Sequence, residues 1–406
     1  MGLEELKWPR PEELIKIASE RDLTSEELLA EKSASFFAPV RMLSIAKGSN
    51  EYPKEVYVRT GYNILRELDE FEDASRSVSI GDKTWAIGRF TFVIGEVARL
   101  NGHKKGIENI IRGDDFQSVT KRMVAGAADE RARVFIEQFG RGHVLRDLYE
   151  IGKEENGKKI QEAIADCTRS MAFGMTTFLE KGPIQTEEQL ENYCFQVAGR
   201  IGSGLLNKLV EYRDVDKNGL PVKLDDGLAE KLGEFLQLTN ISKNIHSDYK
   251  EGREFLPNDW RTRDVSFNYM VEGKGVVAQD SRRKMLEKIL NLAERNFGDS
   301  VRYLTSIPNE LSGYKVFCLI PLITAQKTIE NMKAPGAAER VFKGEPEAVK
   351  IPYGINGILD FSYNIAKFDN GNRTNEWLDK YACNPQNYSF KPEEYSQWSG
   401  HWLNSD

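Results

Sequence analysis

Residues 65–73 read Leu-Arg-Glu-Leu-Asp-Glu-Phe-Glu-Asp, inside a stretch with helical periodicity. Asp69 and Asp73 stand four residues apart, so in a helix their carboxylates share one face. Like charges at this spacing repel each other, and a hard cation such as Mg²⁺ would turn the repulsion into coordination. A solvated acidic face is the plainer interpretation, but the apolar residues Leu65, Leu68 and Phe71 surround the acids and weaken it. The pattern predicts a helix that carries a candidate metal site.

A second oxygen-rich pattern lies further along the chain. Asn240, Asn244 and Asp248 repeat at intervals of four and form a stripe along one face of a predicted helix. Amide oxygens with one carboxylate are typical of a divalent-cation site of low charge, although a polar stripe facing water remains an alternative. Lys243 lies beside the stripe and Arg253 just beyond the helix. Two such helices, each flanked by cations, indicate metal ions that clamp a diphosphate.

The distribution of proline supports a helical chain. None of the 14 prolines falls between Pro53 and Pro183, and this stretch has a period near 3.6 rather than strand-like alternation. No internal repeat or low-complexity linker separates it into parts. The sequence predicts helices at residues 158–181, 186–212, 226–250, 282–296 and 310–332, and loops at 48–53, 214–221 and 333–344.

Composition excludes several classes of protein. The 56 basic and 63 acidic residues give a net charge of −7, and no basic block points to nucleic acid as a partner. The four cysteines and four histidines are too scattered for a disulfide framework or a zinc site. No signal peptide is visible, and the longest apolar run is too short to span a bilayer. We expect a cytoplasmic protein without a membrane span, and its oligomeric state is open.

Several segments resemble the squalene/phytoene synthase family, and specifically its longer squalene-synthase branch. Residues 65–73 match the family's first motif, L-R-x-L-D-x-x-E-D. Further matches follow in the family's order between about residues 30 and 355. They are R-x-M-x-x-G-M-x-x-F-L at 169–179, Y-C-x-x-V-A-G-x-x-G-x-G-L at 193–205, G-R-E-F-x-P at 252–257, F-C-x-I-P at 317–321 and V-F-K-G at 341–344.

The resemblance implies an all-α, single-domain class I isoprenoid synthase fold, a helical bundle around a central cavity. It divides the chain into an N-terminal helical extension (1–30), the synthase domain (31–355) and a C-terminal tail packing on that domain (356–406). It also implies a prenyl diphosphate substrate and an active-site role for Tyr193. We assign catalysis to Tyr193, Asp69 and Asp73, metal binding to Asp69, Glu72, Asp73, Asn240, Asn244 and Asp248, diphosphate binding to Tyr62, Arg66, Lys243 and Arg253, and pocket lining to Phe36, Phe71, Phe195 and Phe235.

The chain departs from the family where the family carries cations. Ala34 replaces the arginine of the S-R-S-F motif, and Lys243 replaces an arginine, which keeps the charge but loses the bidentate fork. Pro352 and Tyr353 replace two cations of the cofactor-associated V-K-I-R-K-G motif. The changes at Ala34, Pro352 and Tyr353 remove charges that a second diphosphate or NADPH would use, and no G-x-G-x-x-G fingerprint offers another cofactor site.

The second acidic motif is also altered. The family's N-x-x-x-D-x-x-E-D has become Asn240, Asn244, Ser247 and Asp248. This stripe resembles the N-x-x-x-S-x-x-x-E metal motif of class I terpene cyclases. We therefore expect a terpene synthase that ionises farnesyl diphosphate with three Mg²⁺, cyclises the cation to a sesquiterpene and needs no NADPH. The alternatives are a squalene or dehydrosqualene synthase, which condenses two farnesyl diphosphates head to head, and a non-catalytic family member.

Overall fold

The computed structural model describes residues 18, 21–32, 39, 40, 43, 52–100, 104–216, 218–261 and 265–345. Over these residues the regular structure is helical, apart from one isolated β-bridge between Val215 and Pro221. The all-α prediction is therefore confirmed. Among the described helices, none has an apolar stretch long enough to cross a bilayer. The predictions for Ala34, Phe36, Pro352 and Tyr353, and for the tail at 356–406, fall outside the described residues.

The described regular structure consists of α-helices, two π-helical segments and two 3₁₀ turns. The π-helical segments, Phe195–Gly199 and Gly202–Leu206, lie between the helices that end at Cys194 and begin at Asn207, and the 3₁₀ turns at Asn258–Trp260 and Asn309–Leu311 precede the helices that begin at Phe267 and Ser312. The α-helices are α1 (Ser25–Lys32), α2 (Tyr52–Glu72), α3 (Ile80–Arg99), α4 (Lys104–Arg112), α5 (Asp114–Ala125), α6 (Glu130–Phe139), α7 (His143–Ile151), α8 (Gly157–Lys181), α9 (Glu187–Cys194), α10 (Asn207–Arg213), α11 (Asp226–Lys250), α12 (Phe267–Glu272), α13 (Val276–Ser306), α14 (Ser312–Met332) and α15 (Ala337–Phe342).

The capping residues explain where the predicted boundaries hold. The Asp225 carboxylate accepts from the Leu228 amide at 2.9 Å and starts α11 as predicted. The Thr186 hydroxyl likewise accepts from the Gln189 amide at 3.2 Å at the start of α9. However, the helix predicted for 186–212 is wrong in detail, because the two π segments interrupt it. These segments widen the helix where it lies against α11.

Two other boundaries differ from the prediction. α13 is twice as long as the helix predicted at 282–296, and its added first turns carry Asp280, which pairs with Arg283 at 2.8 Å and Lys284 at 2.6 Å. The predicted loop at 333–344 contains α15. An ion pair of 2.6 Å between the buried Arg282 and Glu339 holds this short helix on α13.

Glycines allow the π segments to approach α11 at backbone distance. A Cβ atom on Gly202 would lie 2.5 Å from the carbonyl oxygen of Ala229, and one on Gly199 would lie 3.4 Å from that of Glu230. Gly233 of α11 faces the same contact from the other side, against the Ala198 carbonyl. The contact sets the position of α11, which packs along α13 and carries the second oxygen-rich stripe.

We expect Gly202→Ala to destabilise the protein by about 1–3 kcal/mol, since the added methyl group would force the Ala229 backbone away. Gly298 of α13 is the matched control, because a Cβ there meets nothing within 4 Å. Gly298→Ala should stabilise by about 0.5–1 kcal/mol through helix propensity. Urea unfolding of both variants measures the difference, and equal midpoints would contradict the close contact.

Candidate active site

The C-terminal ends of α2 and α11 meet at one place, and Arg253 joins them. Its guanidinium lies 2.7 Å from Asp73 Oδ1 and 2.8 Å from Asp248 Oδ1, with Glu251 2.6 Å away. The Arg253 side chain is buried, whereas about a third of the Asp73 side chain is exposed. The structure thus brings together the two acidic segments that the sequence predicts to share a site.

Arg66 and Asp69 lie one turn back along α2. Arg66 donates to Asp69 through Nη1 and lies 2.8 Å from Glu70 through Nη2. Burial among the surrounding acids raises the pKa of Asp69 to about 6, with Asp73 and Glu70 adding to the effect of desolvation and Arg66 opposing it. About a third of the Asp69 side chain is exposed, as is about a third of that of Asp73, so solvent can reach both residues.

Tyr193 reaches Glu72 from the neighbouring helix α9. Its hydroxyl donates to the two carboxylate oxygens at 3.2 and 3.1 Å, and both residues are buried. Burial, with the charges of Asp73 and Asp69, raises the pKa of Glu72 to about 8. Burial also raises the pKa of the Tyr193 hydroxyl well above its usual value, so it keeps its proton and acts as a donor.

The amide stripe on α11 forms as predicted. Asn244 Nδ2 donates to Asn240 Oδ1 at 3.2 Å, and both side chains are half-buried, as is Lys243. Asp248 completes the stripe and is buried. Burial raises its pKa to about 7, against the lowering effect of the Arg253 charge. Tyr62 is half-buried against the core.

The donor set is chemically suited to Mg²⁺, since it consists of carboxylate and amide oxygens and the side chains of Asp69 and Asp73 are partly exposed. Within the described part of the chain, no three acidic, histidine or cysteine side chains lie close enough together to hold a metal ion. Mg²⁺ is commonly bound by one or two carboxylates together with substrate phosphates. The carboxylates of Asp69, Asp73 and Asp248 therefore fit an ion that one or two of them bind and whose coordination a bound phosphate group completes.

Comparison with known proteins agrees with this geometry. The family model described as squalene/phytoene synthase matches residues 58–349, which include Asp69 and Asp73, all of α11 and Arg253. The chain belongs to the squalene/phytoene synthase family. Human squalene synthase is 32% identical over 216 residues, or 52% of this chain and 48% of that protein. Mouse squalene synthase is 30% identical over 298 residues, or 72% of this chain and 59% of that protein.

The match to the first relatives thus spans about half of their length. Among solved structures, the complex of TcSQS with the ligand BPH1237 aligns over 95% of this chain and 96% of that chain, at 20% identity and a TM-score of 0.56. A complex of TcSQS with E5700 aligns over 92% and 97%, at 21% identity and the same TM-score. These likenesses confirm the prediction of an all-α class I isoprenoid synthase fold.

The predicted sesquiterpene cyclase is wrong. The family model and the squalene synthase relatives favour the alternative, a squalene or dehydrosqualene synthase. The prediction gave too much weight to the acids missing from the second motif. In the structure Asp248 faces Asp73 across Arg253, so the two acidic segments are joined although the neighbouring acids of the motif are absent.

The family motifs also contain aromatic residues that the sequence reading overlooked. Phe178 and Phe255 stack at 4.5 Å between ring centroids, and Tyr193 contacts both, at 5.4 and 5.0 Å. Both phenylalanines belong to segments that carried the resemblance, which was the available signal. This aromatic cluster (Phe178, Tyr193 and Phe255) lies beside Glu72.

Three of the predicted pocket residues lie in the described part of the structure. Phe71 packs edge-on against Phe90 at 5.4 Å, and Phe235 packs against Phe297 at 5.5 Å, so both contribute to the hydrophobic core. Phe195 is half-buried at the start of the first π segment. Their assignment to a substrate pocket stays a prediction.

Two cations that lie near these acids, Lys83 and Arg76, were not predicted from the sequence. Lys83 is buried and donates to the backbone carbonyls of Glu72 at 2.9 Å and Ala74 at 2.5 Å. Arg76 is exposed and donates to the Tyr249 carbonyl in the last turn of α11. Both cap a helix C-terminus, where the helix dipole is negative.

Proposed function

We propose that this chain condenses two prenyl diphosphates head to head, as a squalene or dehydrosqualene synthase does, with farnesyl diphosphate as the substrate. The observation that carries the proposal is the Arg253 bridge, which holds Asp73 of one acidic helix opposite Asp248 of the other. Membership of the squalene/phytoene synthase family supports the same reaction class.

The diphosphate group would be bound by cations on or next to the two acidic helices. Arg66 and Arg253 present guanidinium groups, which can bind phosphate oxygens in a bidentate manner, and Lys243 contributes a point charge. Both arginines are held by carboxylates, Arg66 by Asp69 and Glu70 and Arg253 by Asp73 and Asp248. Their positions are thus fixed before substrate arrives, which lowers the cost of ordering them on binding.

Asp69, Asp73 and Asp248 would hold Mg²⁺, with Asn240, Asn244 and Glu72 as further ligands. Bound Mg²⁺ neutralises the charge that develops on the departing diphosphate. Asp69 and Asp73 have partly exposed carboxylates and are the first that an ion would meet. Tyr193 keeps Glu72 oriented through its hydroxyl. We propose three ions, as in the sequence-based prediction.

The aromatic cluster suits the other requirement of the reaction, protection of a carbocation from water. The faces of Phe178, Tyr193 and Phe255 carry negative quadrupole charge, which attracts cations. Their close packing beside Glu72 excludes water from one side of the acids. We propose that the prenyl chain adjoins this cluster.

The reductive step that completes squalene would require a site for NADPH. Ala34, Pro352 and Tyr353 stand where the family carries cations that the resemblance links to NADPH. We therefore propose that the chain makes a dehydrosqualene-type product without NADPH.

Purified protein incubated with farnesyl diphosphate and Mg²⁺, with and without NADPH, tests the proposal. We expect a C30 hydrocarbon by gas chromatography and two diphosphates released per product, in both arms. A C15 hydrocarbon with one diphosphate released would refute condensation. Squalene formed only when NADPH is added would leave condensation standing and refute independence from the reductant.

Tyr193→Phe should lower kcat for diphosphate release by about 10²-fold, because Glu72 loses the donor that orients it. The ring packing with Phe178 and Phe255 should survive, so stability should fall by only about 1 kcal/mol. Tyr303→Phe is the control, since Tyr303 is a buried tyrosine whose hydroxyl bonds to Asn207 and Tyr314, away from the acids. Equal kcat in both variants would argue against an active-site role for Tyr193.

A further inference from the structure

Lys83 lies in the first turn of α3, but its side chain caps the C-terminal end of α2. Only 6% of the residue is exposed, and its ammonium donates to the carbonyls of Glu72 and Ala74. The last four carbonyls of a helix have no partner within the helix, so a lysine here satisfies groups that would otherwise be buried without one. Burying an ammonium group costs free energy, so this contact differs from an ordinary helix cap at the protein surface.

The two carbonyls that Lys83 binds stand on either side of Asp73. Asp73 is the first residue after α2, and its own amide still donates to the Asp69 carbonyl at 2.8 Å. The backbone around Asp73 is therefore held at three consecutive residues, twice by Lys83 and once by the helix. This is the residue whose carboxylate meets Arg253 at 2.7 Å.

The charges around Lys83 match this arrangement. Its protonated form is favoured by the negative charges of Asp73, Glu72 and Glu251 and disfavoured by the positive charge of Arg253. Burial is the main reason that the pKa of Lys83 is lowered, and the Arg253 charge adds to it. Two cations therefore act on Asp73, since Lys83 holds the backbone on either side of it and Arg253 binds its carboxylate.

We propose that Lys83 is a positioning residue for the metal and diphosphate site, which fixes the peptide on both sides of Asp73 so that its carboxylate faces Arg253 and Asp248. The inference rests on the proposed function for its activity readout. A purely structural cap would stabilise α2 without affecting how the site responds to Mg²⁺. The two roles therefore differ in what a substitution changes.

Lys83→Met tests the proposal by removing the ammonium while keeping most of the side-chain volume. We expect kcat for diphosphate release to fall about 10–100-fold and the Mg²⁺ concentration for half-maximal rate to rise by a similar factor. Lys83→Arg keeps a cationic donor and should recover most of both. Lys83→Gln keeps a donor without the charge, and it serves as the second variant if Lys83→Met does not fold.

Lys54→Met is the matched control. Lys54 is also a buried lysine, with 1% exposed, and pairs with Asp214 at 2.6 Å near the start of α2, roughly 27 Å along the helix from its other end. It should lose stability but keep the wild-type kcat and Mg²⁺ response within about twofold. If both variants lose only stability, Lys83 is a structural cap and the proposal is refuted.

Binding of inorganic diphosphate with Mg²⁺, measured by calorimetry, separates this inference from the proposed function. We expect weaker binding in Lys83→Met than in Lys54→Met, whatever product the wild-type protein forms. If the wild type binds diphosphate but makes no C30 product, the condensation proposal fails and the Lys83 inference is still decided by this comparison. Equal affinities in the two variants would overturn it.

Discussion

Asp73→Asn is expected to reduce diphosphate release by about 10²–10³-fold while leaving the helical circular dichroism unchanged. The amide keeps the shape of the side chain but removes the negative charge, which both a metal ion and Arg253 require. Arg253 keeps Asp248 at 2.8 Å and Glu251 at 2.6 Å, the amide oxygen of the substituted side chain can still accept from its guanidinium, and Arg76 still donates to the Tyr249 carbonyl of α11, so the join between the ends of α2 and α11 should survive. The loss should therefore appear in kcat and in the Mg²⁺ requirement rather than in folding.

Asp115→Asn is the control for this substitution. Asp115 also faces an arginine, Arg89 at 3.5 Å, but about half of its side chain is exposed and it lies on α5. Because exposed ion pairs contribute little, we expect this variant to keep wild-type turnover and stability. Ordinary turnover in Asp73→Asn, measured beside it as diphosphate released per minute, would remove Asp73 from the metal site.

The sequence predicted which side chains share a face, because helical geometry alone determines this. Asp69 and Asp73, and likewise Asn240, Asn244 and Asp248, follow from a spacing of four residues. It did not predict Lys83, whose contact depends on α3 folding back onto the end of α2. Nor did it predict that Phe178 and Phe255 stack, since residues so far apart meet only through tertiary packing.

Dependence on tertiary packing also explains why the sequence did not predict the π segments. Periodicity near 3.6 correctly indicated a helix from Thr186 onward, but the widening at 195–206 arises where glycines meet the backbone of α11. The wrong prediction of a sesquiterpene cyclase had a different origin. Counting the acids of the second motif treats each as equivalent, whereas in the structure Asp248 contacts Arg253, which also contacts Asp73 at the end of the other helix.

Arg253→Met should be the most destabilising change at the site, because it leaves the carboxylates of Asp73, Asp248 and Glu251 without their shared cation. Breaking a buried ion pair by removing one partner costs about 3–5 kcal/mol, and the partial exposure of Asp73 and Glu251 favours the lower end. Turnover should also be lost, since Arg253 is proposed to bind diphosphate. Arg253→Lys keeps the charge but cannot bridge Asp73 and Asp248 with a planar fork, so we expect an intermediate loss.

The pH dependence of this loss distinguishes lost charge from lost packing. Burial already raises the pKa of Asp248 to about 7 and that of Glu72 to about 8, and the Arg253 charge opposes both shifts. Removing Arg253 should raise these pKa values further, so that the folded state binds protons more tightly than the unfolded chain. For groups with raised pKa values, stability is greatest at low pH and falls as pH rises through the folded-state pKa. The deficit of Arg253→Met relative to wild type, measured by urea unfolding with chelator present, should therefore be smaller at pH 5 than at pH 8. A deficit equal at both values would mean that Arg253 acts there through packing rather than charge.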